Sequence, residues 1–243
     1  MDYVLILGAG SDIAKALSHM YASKKYNIYL AGRKIDELEK DAKNLNIRYN
    51  IEAMPLFFDA TEFEKHYDFY HFLQPKPTIV ICIFGYQGEQ IEGQKSFKET
   101  QKVIDTNYTG SVSILNVIAN DFEEKQSGSI VGISSCAGDR GRAKNYIYGS
   151  AKGAFSIYLS GLRNRLSKSN VSVLTVKPGF VATKMTENMD LPEKLTAQPE
   201  EVAKDIFKAQ QTKKDIIYTK WFWFFIMNII KHIPEKMFKK MNI

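Results

Sequence analysis

The chain has 243 residues, of which 44% are hydrophobic and 25% charged. That composition excludes disorder and collagen-like repeats and suits one large domain. Two cysteines, Cys82 and Cys136, exclude a disulfide scaffold and any cluster of thiolate ligands, and they point to a reducing compartment. The histidines are too scattered for zinc, and His66 and His71 would face different sides of a helix, so no metal is expected. The net charge of +6 sits at one end, where nine lysines from Lys204 onward oppose Asp205, Asp215 and Glu235. The body is left neutral, without the basic stripe that nucleic acid requires.

Met1 to Gly8 has no basic leader and runs straight into a glycine turn. It reads as a strand over 3–7 and not as a signal peptide, which predicts a cytoplasmic protein. Short apolar, often β-branched runs follow at 28–31, 53–58, 78–83, 129–134, 171–177 and 215–219. They do not alternate strictly, as expected of strands covered on both faces. Helical patterns fall between them at 12–24, 34–45, 61–73, 97–124, 146–168 and 199–211. This alternation predicts an α/β fold, a Rossmann-type doubly wound parallel sheet of about seven strands in a single domain over 1–220. An aromatic and basic helical tail over 221–243 completes the chain.

In such a sheet ligands bind beyond the carboxyl ends of the strands. The first turn reads Gly8-Ala9-Gly10-Ser11-Asp12-Ile13-Ala14. Its glycines permit a sharp turn, and the free N–H groups opening the next helix attract phosphate oxygens. The GxGxxG spelling fails at Ile13, and a purely structural turn is the alternative. After the second strand comes Gly32-Arg33-Lys34, with no acid to bond a ribose hydroxyl. Arg33 either forks onto a 2'-phosphate, favouring NADP(H) over NAD(H), or is a solvated charge opening a helix.

Tyr148 and Lys152 lie four apart on one helix face, and Ser135 ends the strand 13 residues before Tyr148. A phenol titrates near pH 10, so a lysine charge beside it would bring it toward a usable range. Ser135 would hydrogen-bond a carbonyl oxygen as charge develops on it. A helix surface pair is the bland alternative, but Tyr146 has Ser150 where Tyr148 has Lys152 and forms no such pair.

These pieces together resemble the short-chain dehydrogenase/reductase family over residues 1–219. The match comprises the Gly8 turn, Asp59-Ala60, Asn107, Ile133-Ser134-Ser135, Tyr148 with Lys152, and Pro178-Gly179-Phe180-Val181-Ala182-Thr183. The resemblance implies that Tyr148 is the general acid/base and that Lys152 also binds the nicotinamide ribose. It implies that Ser135 polarises the carbonyl and that Asn107 helps hold a proton-relay water. Cofactor contacts would come from Gly8, Gly10, Ser11, Asp12, Ile13, Arg33, Asp59, Ala60, Phe84, Gly85, Tyr148, Lys152, Pro178, Gly179, Val181 and Thr183. Two departures stand out: Asp12 replaces a glycine beside the pyrophosphate, and Cys82-Ile83-Phe84-Gly85 replaces the family's NNAG. The second, with the GxGSDIA turn and the aromatic tail, resembles one subgroup, the ketoreductase subunits of decaprenylphosphoryl-ribose 2'-epimerase and their relatives.

The expected activity is therefore NADPH-dependent reduction of a ketone on a small or lipid-linked molecule, such as a keto sugar. The rival is a catalytically silent NADP-binding regulatory or scaffold protein. Helices 97–124 and 146–168 resemble the family's subunit interfaces, implying a homodimer or homotetramer. Residues 184–198, including Met185, Met189 and Leu191, are expected either to cover the substrate or to form an ordinary surface loop. The block Trp221–Ile230 is too short to span a bilayer. With its lysines it is expected to lie in a membrane surface as a peripheral contact, or else to fold back over an apolar face.

Overall fold

The computed structural model describes residues 2–187 and 190–241. Met189 of the 184–198 segment, Met1, and Asn242 and Ile243 of the tail lie outside the described residues. Strands β1 (Tyr3–Leu7), β2 (Asn27–Gly32), β3 (Ala53–Phe57), β4 (Ile79–Cys82), β5 (Gly128–Ile133) and β6 (Val171–Pro178) build one sheet. Two short strands, β7 (Phe180–Val181) and β8 (Thr196–Ala197), pair apart from it, and β9 (Ile216–Thr219) closes its far edge. The main order is β3-β2-β1-β4-β5-β6-β9, parallel throughout. The order reverses between β1 and β4, opening a crevice beyond their carboxyl ends.

The lack of alternation in the strands has the expected cause, since both faces are covered. Val4, Ile6, Ile28 and Leu30 pack with Leu17 of α1 (Asp12–Ser23), Leu38 of α2 (Ile35–Tyr49) and Ile206 of α8 (Pro199–Gln211). On the other side, Leu5, Leu7 and Val80 meet Tyr70 of α3 (His66–Phe72), Ile114 of α6 (Gly110–Glu124) and Phe155 of α7 (Tyr146–Leu166). Full burial of a Leu or Ile stabilises the fold by roughly 1.5–3 kcal/mol, so these two clusters carry the domain.

Three helical expectations need correction. The helix expected over 97–124 is interrupted: α5 (Phe97–Ile104) passes through a π-type turn at Asp105–Thr109 into α6. The Asn107 side chain ties the bulge down, its Nδ2 donating to Val103 O at 2.8 Å and Tyr86 O at 2.6 Å, and its Oδ1 accepting from Tyr86 N at 3.2 Å. Such bulges concentrate at functional sites. The helix expected over 61–73 begins later, because the Asp59 carboxylate accepts from Thr61 N at 2.9 Å and Thr61 Oγ1 at 2.8 Å, holding a turn before α3. The short helix α4 (Gln90–Lys95) was not anticipated, since six residues show no useful periodicity.

The tail forms α9 (Trp223–His232) and α10 (Glu235–Phe238). The aromatic block does not face one way. Trp223 and Met227 are buried against Cys136, flanked by Phe180, Leu195 and Tyr218, whereas Trp221 is 71% and Phe225 57% exposed. Arg140 fastens the arrangement by donating from Nη1 to Ile230 O (2.9 Å), Lys231 O (2.9 Å) and Ile233 O (2.7 Å), and from Nη2 to Glu235 (2.8 Å). A cation there also satisfies carbonyls that a helix end leaves unpaired. Among the described residues no helix is long and apolar enough to cross a membrane, and no group of His, Cys, Asp or Glu is placed to hold a metal.

Candidate active site

The glycine turn follows from the register of β1. Gly8 has φ +97°, and a Cβ there would stand 2.5 Å from Phe84 N, so no side chain fits. Ser11 caps α1, its Oγ accepting from Ala14 N at 3.3 Å, and the first N–H groups of α1 have no intrahelical partner. Asp12 opens the helix, and its carboxylate accepts the Lys184 N–H at 2.8 Å. The acid that departs from the family turn thus fastens the loop after β7 to the phosphate-type turn.

One cleft beside this turn is lined by Gly8, Gly10, Ser11, Arg33, Asp59, Ala60, Phe84 and Gly85. Burial raises the Asp59 carboxyl, but the Thr61 hydrogen bonds and the Arg33 charge outweigh it and hold the group below its ordinary value. A second cavity, of about 280 Å³, shares Gly10, Ser11 and Gly85 and continues past Asp12 and Ile13 to Ser135, Tyr148, Lys152, Pro178, Gly179, Val181 and Thr183. Every site residue expected from the sequence except Asn107 borders one of these two spaces. Asn107 is fully buried behind Gly85, with its amide committed to Tyr86 and Val103.

Ser135 lies two residues beyond β5 and caps a 3-10 segment, Cys136–Asp139, its Oγ accepting from Ala137 N at 3.1 Å. Tyr148 and Lys152 project from the first turns of α7, with the Lys152 Nζ 5.8 Å from the Tyr148 ring centre and donating to Ile133 O at 3.0 Å. Burial pushes the Tyr148 phenol up to about 12, while the Ser135 hydroxyl pulls the other way. Burial also pushes Lys152 down to about 8. The phenol's shift thus runs opposite to the lowering expected from Lys152: desolvation dominates both groups, and Lys152 is not among the causes of the Tyr148 shift.

Gly179 admits the tail to this site. A Cβ at Gly179 would overlap the Trp223 indole, whose Nε1 donates to Leu195 O at 3.3 Å. Gly179→Ala is expected to displace α9 and lower stability by about 1–3 kcal/mol, the usual scale of overpacking. Chemical denaturation followed by tryptophan fluorescence checks this, and unchanged stability with an unchanged spectrum would contradict it.

Several residues at the site had no sequence signal. Trp223, Arg142 and Asn145 line the second cavity, Trp223 from the tail and the other two from the stretch between Ser135 and Tyr148. Trp223 belongs to the block expected either on a membrane surface or folded back over an apolar face, and Arg142 has no motif around it.

A family model for short chain dehydrogenases matches residues 2–194. An uncharacterized oxidoreductase of Mycobacterium tuberculosis is 31% identical over 242 residues, covering 98% of this chain and 96% of the relative. Among solved structures, a short-chain dehydrogenase from Sphingobium yanoikuyae in complex with NADPH superposes with a TM-score of 0.84 at 19% identity, covering 97% of each chain. A 3-oxoacyl-[acyl-carrier protein] reductase with bound NAD from Brucella melitensis gives 0.79 at 20% identity, covering 89% of each chain. These structures share the fold. The chain belongs to the short-chain dehydrogenase family and is an oxidoreductase acting between CH–OH and C=O groups.

Proposed function

We propose that the protein is an NADPH-dependent ketone reductase, reversibly an alcohol dehydrogenase. The observation that carries this reading is the convergence of Ser135, Tyr148 and Lys152 on one cavity that opens into the glycine-turn cleft. The cleft suits a dinucleotide. Free N–H groups at the start of α1 would receive the pyrophosphate, Gly10 has open space beside it, and Arg33, on the border of the same cleft, would hold a 2'-phosphate. When bound, the cofactor supplies the hydride. The protein's own part is to hold the carbonyl oxygen between the Ser135 and Tyr148 hydroxyls and to pass the phenol proton to the developing alkoxide. Lys152 holds a positive charge near both until about pH 8. A cofactor-oxidation screen over neutral and charged ketones, including free and lipid-linked keto sugars, tests this. NADPH binding without turnover of any ketone would favour the silent NADP-binding alternative.

A membrane-facing position is a further part of the proposal, supported by the outer face of α9. Phe224, Phe225 and Ile229 are exposed there, Trp221 is exposed just before the helix, and Lys231, Lys236, Lys239 and Lys240 are exposed nearby. Aromatics beside lysines suit a headgroup layer, where each basic residue is worth roughly 1 kcal/mol against anionic lipid. Because Trp223 and Met227 are buried, truncating the tail would damage the cavity. Point variants separate the two roles. The wild-type protein is expected to co-sediment with anionic vesicles, less so as salt rises, and Trp221→Ser with Phe225→Ser is expected to abolish binding. No sedimentation at low salt would remove the membrane reading and weaken the case for a lipid-linked ketone. A cytoplasmic homodimer or homotetramer completes the proposal, supported by exposed Phe97 on α5 and Ile157 on α7.

A further inference from the structure

Arg142 is a cation in the wall of the cavity beside Ser135 and Tyr148, with no ion-pair partner among the described residues. It borders the same space as Ser135, Tyr148 and Trp223. Among the described residues, the arginines that form ion pairs are Arg140, Arg163 and Arg165. The nearby carboxylate, Asp139, is already bound by Lys177 Nζ at 2.5 Å and the Tyr218 hydroxyl at 2.7 Å. Arg142 spends one Nη2 bond on Cys136 O at 3.2 Å and touches Met227 Sδ at 3.9 Å. Its Nε is sealed from solvent and has no hydrogen-bond partner among the described residues.

A second polar atom in the same wall is also without a partner among the described residues. Asn145 Oδ1 is buried and accepts no hydrogen bond from any of them, although the residue borders the cavity. A buried donor and a buried acceptor are each costly when left unmet. Both costs fall on the wall that faces the reacting carbonyl, away from the Arg33 end of the cleft. The surrounding Trp223, Phe180 and Met227 are apolar, and a low local dielectric strengthens any charge pairing made there. An arginine so placed prefers planar or tetrahedral oxyanions, which match its fork of donors.

We propose that Arg142 anchors an anionic group, a carboxylate or a phosphoryl group, carried by the ketone substrate, while Asn145 accepts from a substrate hydroxyl. The inference rests on the reductase reading and narrows its substrate class. It makes Arg142 a specificity residue that acts on the part of the substrate that does not react.

The test compares matched probes under NADPH: benzoylformate against methyl benzoylformate for the carboxylate, and dihydroxyacetone phosphate against dihydroxyacetone for the phosphoryl group. The expected result is at least a tenfold higher kcat/KM for the anion in at least one pair, and the pair that responds identifies the anion. Arg142→Gln is expected to collapse that preference through KM, and Arg142→Lys to retain part of it. Equal or better use of the neutral member in both pairs by the wild-type enzyme would overturn the proposal whether or not the variants fold. So would a preference that survives Arg142→Gln. If no ketone is turned over, the reductase reading fails by itself. Equilibrium binding of the same pairs to the NADP-loaded wild-type protein then decides the anion site, and absence of any preference in both pairs overturns it.

Discussion

Replacement of Tyr148 by Phe is expected to lower turnover at least about a hundredfold while NADPH binding persists. The argument is one of proton supply. Reduction of a carbonyl leaves an alkoxide, and loss of a positioned general acid typically costs 10²–10⁴-fold. Tyr148 is the phenol facing Ser135, and burial holds it protonated with a pKa pushed up to about 12. The sign follows: reduction finds the donor charged with its proton across the neutral range, whereas oxidation of an alcohol needs the phenolate and should climb as the pH rises. Steady-state rates in both directions, with cofactor affinity measured separately, check this. Near-wild-type turnover in the variant would remove Tyr148 from the chemistry.

Arg33→Ala is expected to weaken NADPH binding by about 1.5–3 kcal/mol, roughly 10- to 150-fold, and to leave NADH binding almost unchanged. Arg33 follows β2 directly and borders the cleft opposite Asp59, where its charge helps keep the carboxyl ionised. The variant would lose the proposed charge-assisted fork onto a 2'-phosphate, and NADH lacks that phosphate. Titration of both cofactors against both proteins is decisive, and wild-type protein that binds NADH as tightly as NADPH would refute the assignment.

Much of the architecture can be read from local chemistry. β-Branched runs such as Ile79–Cys82 and Val171–Pro178 are strands because nothing else buries them so well in a short span. Tyr148 and Lys152 announce themselves through a four-residue spacing that only a helix turns into a pair. The features that escaped depend on contacts across long stretches of chain. Arg142 acquires its isolation only when Met227 and Trp223 dock beside it and when Lys177 and Tyr218 have claimed Asp139. The aromatic block looks uniform in sequence, but a helical period of 3.6 divides it into an inner and an outer face once Gly179 leaves room for an indole. The π-type turn at Asn107 escaped as well, because one inserted residue leaves the apolar pattern of 97–124 intact. The direction of the Tyr148 shift escaped because spacing reports proximity to a lysine and says nothing of desolvation.

The Arg140 clasp links the last part of the chain to whatever fills the cavity. Because Trp223 belongs both to α9 and to the cavity wall, a ligand that touches the indole binds the docked helix and not the detached one. By mass action, such a ligand at a hundred times its Kd adds about 2.7 kcal/mol to the docking of the helix. Lys231, in the last turn of α9, and Lys236, in α10, are exposed, and trypsin is expected to cleave beside them only as these helices open. The rate at which a protease trims the chain there becomes a gauge of active-site occupancy, readable for compounds that are never turned over.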